Sequence, residues 1–198
     1  MVTALVTAET ELHTNSRSDP RVEALDLRQI YPEHFQSVWR NLHRLGVPSL
    51  VLDEAVQDVF MVVHRRRNEF GGRSTLRTWI FGIVLRVAKD YRRAARRHAV
   101  RVQRYAEAMV NDSQLAGPSD DAQRREANRI LHRILDGMGD EERAVFVLVE
   151  LEQLSVREAA VASGISLATC QRRLRRARVA FDAALSRRSD ETPGRPKS

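Results

Sequence analysis

The stretch SVREAAVASGISLATCQRRLRRAR, residues 155–178, decides how the chain folds. Ser155, with Glu158 three residues on, is a capping box, in which side chain and backbone satisfy each other at a helix start. It opens a short helix through Ala162. Ser163-Gly164-Ile165-Ser166 forms a tight turn, with glycine where a positive φ is usually needed. In the helix that follows, Leu167, Cys170, Leu174, Ala177, Phe181 and Leu185 recur on one seam, and Arg172, Arg173, Arg175, Arg176 and Arg178 point away from it. A short helix, a glycine-containing turn and a second helix dense in donors make a helix-turn-helix pattern.

Working outward, Ala127, Ile130, Leu131, Ile134 and Leu135 form a helical stripe that stops at Gly137 to Gly139. Asp140 is expected to cap the next helix, whose first turn carries Glu141 and Glu142 and whose buried side is Ala144, Val145, Leu148 and Leu151. Residues 122–185 thus read as one small helical domain. Before it, residues 98–121 contain Asn111-Asp112-Ser113 and Gly117-Pro118-Ser119-Asp120-Asp121 and read as a flexible linker.

A second helical domain is expected over residues 27–97. Its first stripe is Leu27, Ile30, Phe35, Val38, Trp39, Leu42 and Leu45, ended by Gly46 and Pro48. Leu52, Val56, Val59, Phe60 and Val63 make the next, before the break at Gly71-Gly72. Ser74 or Thr75 is expected to cap a third helix, with Leu76, Trp79, Ile80, Ile83, Val84, Val87 and Tyr91 inward. Residues 1–26 read as a mobile arm and residues 186–198 as a disordered tail. The fold class is therefore all-α, with two small helical domains, and domains this small predict modest stability and mobility between them.

The chain has 198 residues and a net charge of +7, and that charge is segregated. Residues 73–104 carry +9 and residues 169–188 carry +6, while residues 1–72 carry −2 and residues 105–168 carry −6. One basic run is often only a solvated face. Two runs on separate helical modules imply contact with a polyanion at two places. The basic residues are almost all arginine, whose planar fork suits phosphates and base edges.

Other classes lack their residues. The single cysteine, Cys170, excludes an intramolecular disulfide framework and paired-cysteine zinc sites, and sits where a small core residue is expected rather than a redox sensor. The six histidines are scattered with no metal-ligand spacing, Gly71-Gly72 lacks the spacing and lysine of a phosphate loop, and no apolar run is long enough to span a bilayer. A non-enzymatic, cytoplasmic protein without cofactor, metal or membrane insertion is expected.

The residues also carry a resemblance. Leu52 to Phe60 (LDEAVQDVF), Phe70 to Phe81 (FGGRSTLRTWIF) and Tyr91-Arg92-Arg93 resemble region 2 of the bacterial sigma-70 family, above all its extracytoplasmic-function (ECF) group. Leu154 to Ala160, Gly164 to Ser166 and Thr169 to Arg178 resemble region 4. The resemblance implies an initiation subunit of RNA polymerase that docks on a coiled coil of the largest subunit and on the flap region of the second-largest. It also implies promoter DNA as ligand, the minus-ten element held as single strand and the minus-35 element as duplex, and sequestration by an anti-sigma factor.

Carried onto this sequence, Asp53, Glu54, Gln57 and Asp58 become the polymerase-docking face, since an acidic-polar helix face suits a basic partner. Arg73, Ser74, Thr75, Arg77, Trp79, Arg86, Lys89 and Arg93 become the minus-ten set, combining phosphate contacts with an aromatic ring that serves mainly in packing. Gln171, Arg172, Arg175 and Arg176 face the minus-35 bases, with Arg173 and Arg178 on phosphates and Thr169 completing the minus-35 set. Arg86 stands where relatives commonly carry Asn, Cys170 where Val is usual, and Gln171 and Arg172 also depart from the common pattern. The competing reading is a repressor or activator that uses only residues 122–185 and binds duplex DNA as a dimer. It leaves the Asp53 to Asp58 face and the second basic block without a role.

Overall fold

Asp26 starts the first helix, its carboxylate accepting from the Arg28 backbone N–H at 2.9 Å. The computed structural model describes residues 26–103 and 122–191. Among these, seven α-helices follow one another. Helix α1 (Leu27–Arg44) continues through Pro32, which lies early enough to remove only a first-turn carbonyl's partner. The chain leaves α1 at Gly46, with φ +84°, and enters α2 (Leu52–Arg66). Thr75 caps α3 (Leu76–Gln103): its Oγ1 accepts from the Thr78 N–H at 3.1 Å. The inward stripes come together as read, with Val38, Leu42, Leu52, Val56, Val59, Val63, Ile80 and Val84 all buried.

In the second half, α4 (Ala122–Asp136) stops at Gly137, and α5 (Asp140–Phe146) runs on into a π-helical stretch, Val147–Leu151. Asp140 does not cap α5. The cap position is Gly139, and the Asp140 carboxylate, on the first helical residue, instead takes Arg92 and Arg96 of α3. The helix-turn-helix is α6 (Val156–Ser163) and α7 (Leu167–Glu191). Both arms of the Ser155–Glu158 box are present, and Ser155's hydrogen bonds hold the Glu158 carboxyl below its usual range.

Gly164 has φ +65°, and nothing lies within 4 Å of where a Cβ would stand. Gly164→Ala therefore meets a purely conformational penalty. It is expected to lower stability by about 1 kcal/mol in urea unfolding, and Gly164→Asn by less, because Asn tolerates the left-handed region.

Three further expectations change. Helix α3 runs to Gln103 and α7 to Glu191, past the boundaries expected at 97 and 185. Residues 186–191 are thus helical rather than tail, since Ser, Arg, Asp and Glu can continue a helix once it is nucleated. Leu167 and Leu185, at the two ends of the α7 seam, are exposed at 43% and 39%. The expected arm up to Leu25, the linker from 104 to 121 and the tail from 192 lie outside the described residues.

The third change concerns the two halves, which were expected to move independently and instead share a core. Ile134, Leu135, Met138, Phe146, Val147 and Ala177 join one buried cluster with the apolar residues of α1, α2 and α3. Reciprocally, Phe81 of α3 sits in the second cluster, with Val145, Leu148, Leu154, Ala159, Ala160, Cys170 and Leu174. Gly82 permits this approach, for a Cβ there would lie 3.2 Å from the Ala162 carbonyl oxygen. A polar contact crosses the same seam: the buried Arg143, paired at 2.8 Å with Asp136 of its own half, donates to the Arg44 carbonyl at 2.6 Å.

Candidate nucleic-acid interface

On α7, burial of Cys170, Leu174 and Ala177 fixes the opposite side of the helix outward. Gln171, Arg172, Arg175 and Arg176 lie exposed on that side. Thr169 is half-buried; its N–H donates to Ser166 Oγ at 3.2 Å and its hydroxyl accepts from the same atom at 2.9 Å, which closes the N-terminus of α7. Arg173 is engaged by Glu141 of α5, Arg178 by Glu150 at 2.8 Å and Arg176 loosely by Glu142 at 3.9 Å. Glu141 and Glu142 in the first turn of α5, and Glu150 in the π-helical stretch, thus steady the flank of the arginine helix, while Arg172 and Arg175 have no acidic partner among the described residues. The Cys170 thiol is fully buried, and burial pushes its pKa up, away from the reactive thiolate.

The second group is dispersed over the α2–α3 loop and α3. Arg73, Arg86, Lys89 and Arg93 are exposed, and Ser74 is half-buried. Thr75 is occupied as the cap, its Oγ1 also lying 2.8 Å from Thr78 Oγ1. Trp79 is half-buried, packs on the first core and tilts against Phe70 at 5.5 Å between ring centres, consistent with a ring that mainly packs. Arg77 is committed elsewhere. It lies over the Phe81 ring and donates to both the carbonyl and the carboxylate of Glu152, in the other half.

The third group, Asp53, Glu54, Gln57 and Asp58, forms one exposed face of α2. Asp58 accepts from the Tyr91 hydroxyl at 2.9 Å, and burial followed by the Asp58 contact pushes the Tyr91 pKa up, so the phenol remains a donor. Sequence reading missed Glu152 and its ring of arginines. Glu152 is the acidic residue next to Gln153, whose φ of +57° turns the chain, but nothing local marks its partners, which lie 75 to 115 positions away.

Comparison with known proteins bears on both halves. Residues 30–98 match the family description "Sigma-70 region 2" and residues 128–181 match "Sigma-70, region 4". The chain is 27% identical over 158 residues to the RNA polymerase sigma factor NccH of Alcaligenes xylosoxydans xylosoxydans, covering 79% of this chain and 85% of that one. It is 27% identical over 143 residues to the ECF RNA polymerase sigma-E factor of Escherichia coli K12, covering 69% and 74%. Among solved structures, CnrH in complex with the cytosolic domain of CnrY superposes with a TM-score of 0.59 at 24% identity, over 81% of this chain and 87% of that one. The sigma factor RpoE in complex with the anti-sigma factor NepR from Bartonella quintana gives 0.63 at 18% identity, over 81% and 97%.

Proposed function

The chain belongs to the sigma-70 family of RNA polymerase initiation factors, in its ECF group, and on that premise we propose how its surfaces divide the work of promoter-specific initiation. The exposed side of α7 reads the minus-35 element as duplex. Gln171, Arg172, Arg175 and Arg176 reach base edges, with Thr169, Arg173 and Arg178 at the backbone. Arg73, Ser74, Thr75, Arg77, Arg86, Lys89 and Arg93 line the path of the melted minus-ten strand, with the edge of Trp79 beside them. The acidic face of α2 docks on the coiled coil of the largest polymerase subunit, and the C-terminal half meets the flap region of the second-largest. An anti-sigma factor, a partner of the kind present in the RpoE–NepR structure, holds the protein out of use. Residues 27–97 and 122–185 are the working modules, and 98–121 joins them.

The single observation that carries this reading is the outward α7 face, whose arginines have no structural work in their own core. Core polymerase supplemented with the protein is expected to initiate from a restricted set of promoters. Asp53→Asn, Gln57→Ala and Asp58→Asn combined should weaken binding to core polymerase by tenfold or more with the helical content unchanged, because these side chains are exposed and among the described residues the Tyr91 hydroxyl on Asp58 is what ties them to the fold. Equal polymerase affinity would remove the docking assignment. Tight, polymerase-independent operator binding by residues 122–185, with no initiation, would favour the repressor.

A further inference from the structure

Glu152 is 3% exposed, yet it lies at the end of a helical stretch, against residues of the other half. Arg44 Nη1 and Arg77 Nη2 each reach its carboxylate at 3.0 Å and Arg40 Nε lies at 3.5 Å. Arg77 also donates to the Glu152 carbonyl at 2.7 Å, and Ser37 Oγ stands 3.5 Å from Oε2. Every one of these partners belongs to the N-terminal half. Three guanidinium groups on α1 and α3 therefore converge on one point, and the occupant of that point comes from elsewhere in the fold.

The charges do not balance. Glu152 answers three guanidinium groups, with the weaker field of Glu158 added at Arg77, and positive charge stays in excess in a partly desolvated place. Burial first, and then the neighbouring Arg40, lower the Arg44 pKa against the pull of Glu152, which raises it. A buried ion pair of this kind contributes little net stability, because desolvation offsets the attraction. A nucleic-acid strand presents consecutive phosphates, each offering two non-bridging oxygens to an arginine fork, and can meet the charge that a single carboxylate leaves over. Arg40 and Arg77, about half exposed, lie at the rim where a strand would arrive.

We propose that Arg40, Arg44 and Arg77 form a phosphate-binding site for single-stranded nucleic acid, and that Glu152 is its internal occupant, displaced when the strand binds. Arg40 and Arg44 thereby extend the DNA-contacting surface onto α1. The packed arrangement of the halves and occupation of this site by DNA exclude one another. The identity of the strand as melted promoter rests on the function proposed above; the site itself does not, and its test omits polymerase.

The probe is a fluorescein-labelled twelve-residue oligothymidylate, titrated at several salt concentrations and followed by anisotropy. Glu152→Gln is expected to bind about tenfold more tightly than the wild type, with a steeper salt dependence from the extra phosphates engaged. Adding Arg40→Gln and Arg44→Gln to that variant should return the affinity to the wild-type level. Glu33→Gln, which removes the same charge from an exposed position, should change affinity less than twofold. If Glu152→Gln does not fold, Glu152→Asp retains the charge one methylene short and should give an intermediate gain. No gain in the folded variant, a gain that survives loss of Arg40 and Arg44, or an equal gain with Glu33→Gln would each overturn the site. Run-off initiation by core polymerase is scored separately, and its failure would count against the promoter reading alone.

Discussion

Phe81→Ala is expected to cost about 3–5 kcal/mol, the range for removing a large aromatic ring from a well-packed core, and the loss should fall on the contact between the halves. Phe81 is 2% exposed on a helix of the N-terminal half, but the cluster that buries it is built of C-terminal residues. The N-terminal half keeps Ile80, Ile83 and Val84 for its own core. Its helices should therefore survive the substitution while the C-terminal half loses its plug. In urea, the wild type should unfold in one transition and Phe81→Ala in two, with a larger radius of gyration by small-angle scattering before the first. A single transition at an unchanged midpoint would show that the ring does not join the halves.

Phe81 also shows where sequence stops being informative. The stripes that build each half could be read because helical periodicity is local: Leu52, Val56, Val59, Phe60 and Val63 declare one face within twelve residues. Capping at Ser155 and the left-handed turn at Gly164 were legible for the same reason. Phe81 stood off the α3 stripe and had no place in that reading, although an apolar ring next to Gly82 on the arginine-bearing side was a signal of a second contact. Val145, Phe146, Val147 and Leu148, four consecutive buried residues, likewise declare a segment covered on all sides, which a one-faced stripe of Ala144, Val145, Leu148 and Leu151 did not capture.

The candidate site divides in the same way. Outward arginines on α7 follow from the seam opposite them, so their exposure was predictable. The pairing of Arg77 with Glu152, and of Arg92 and Arg96 with Asp140, depends on how two modules meet, and no spacing within either module encodes it. Charge segregation pointed to two DNA contacts and an acidic remainder for a protein partner. The structure adds that part of this acidic remainder, Asp136, Asp140 and Glu152, is spent on arginines of the chain itself.

Acidification is expected to loosen the contact between the halves, through two histidines that the sequence leaves 89 positions apart. His43 of α1 and His132 of α4 meet with ring centres 4.1 Å apart and planes tilted by 48°. Burial lowers the His132 pKa from 6.5 to about 4, with His43 beside it adding to the shift. The His43 pKa is also lowered, first by burial, with Arg143 and Arg44 acting in the same direction and Asp136 opposing them. The packed form thus prefers neutral rings. Separated halves release them to ordinary values, so the histidine contribution is complete above about pH 6.5. It is lost as the pH falls from there towards about 4, where His132 protonates even when packed. Allowing for solvent that still reaches both rings, the loss between pH 7 and pH 4.5 is about 1–2 kcal/mol, a five- to thirtyfold shift towards separated halves. Carboxylates titrate over part of the same range, and the comparison that isolates the histidines is with His132→Phe, which keeps a ring against His43 and cannot be protonated. The radius of gyration and the urea midpoint of the wild type should change more steeply with pH than those of the variant. Parallel curves would mean that the two imidazoles do not govern the contact.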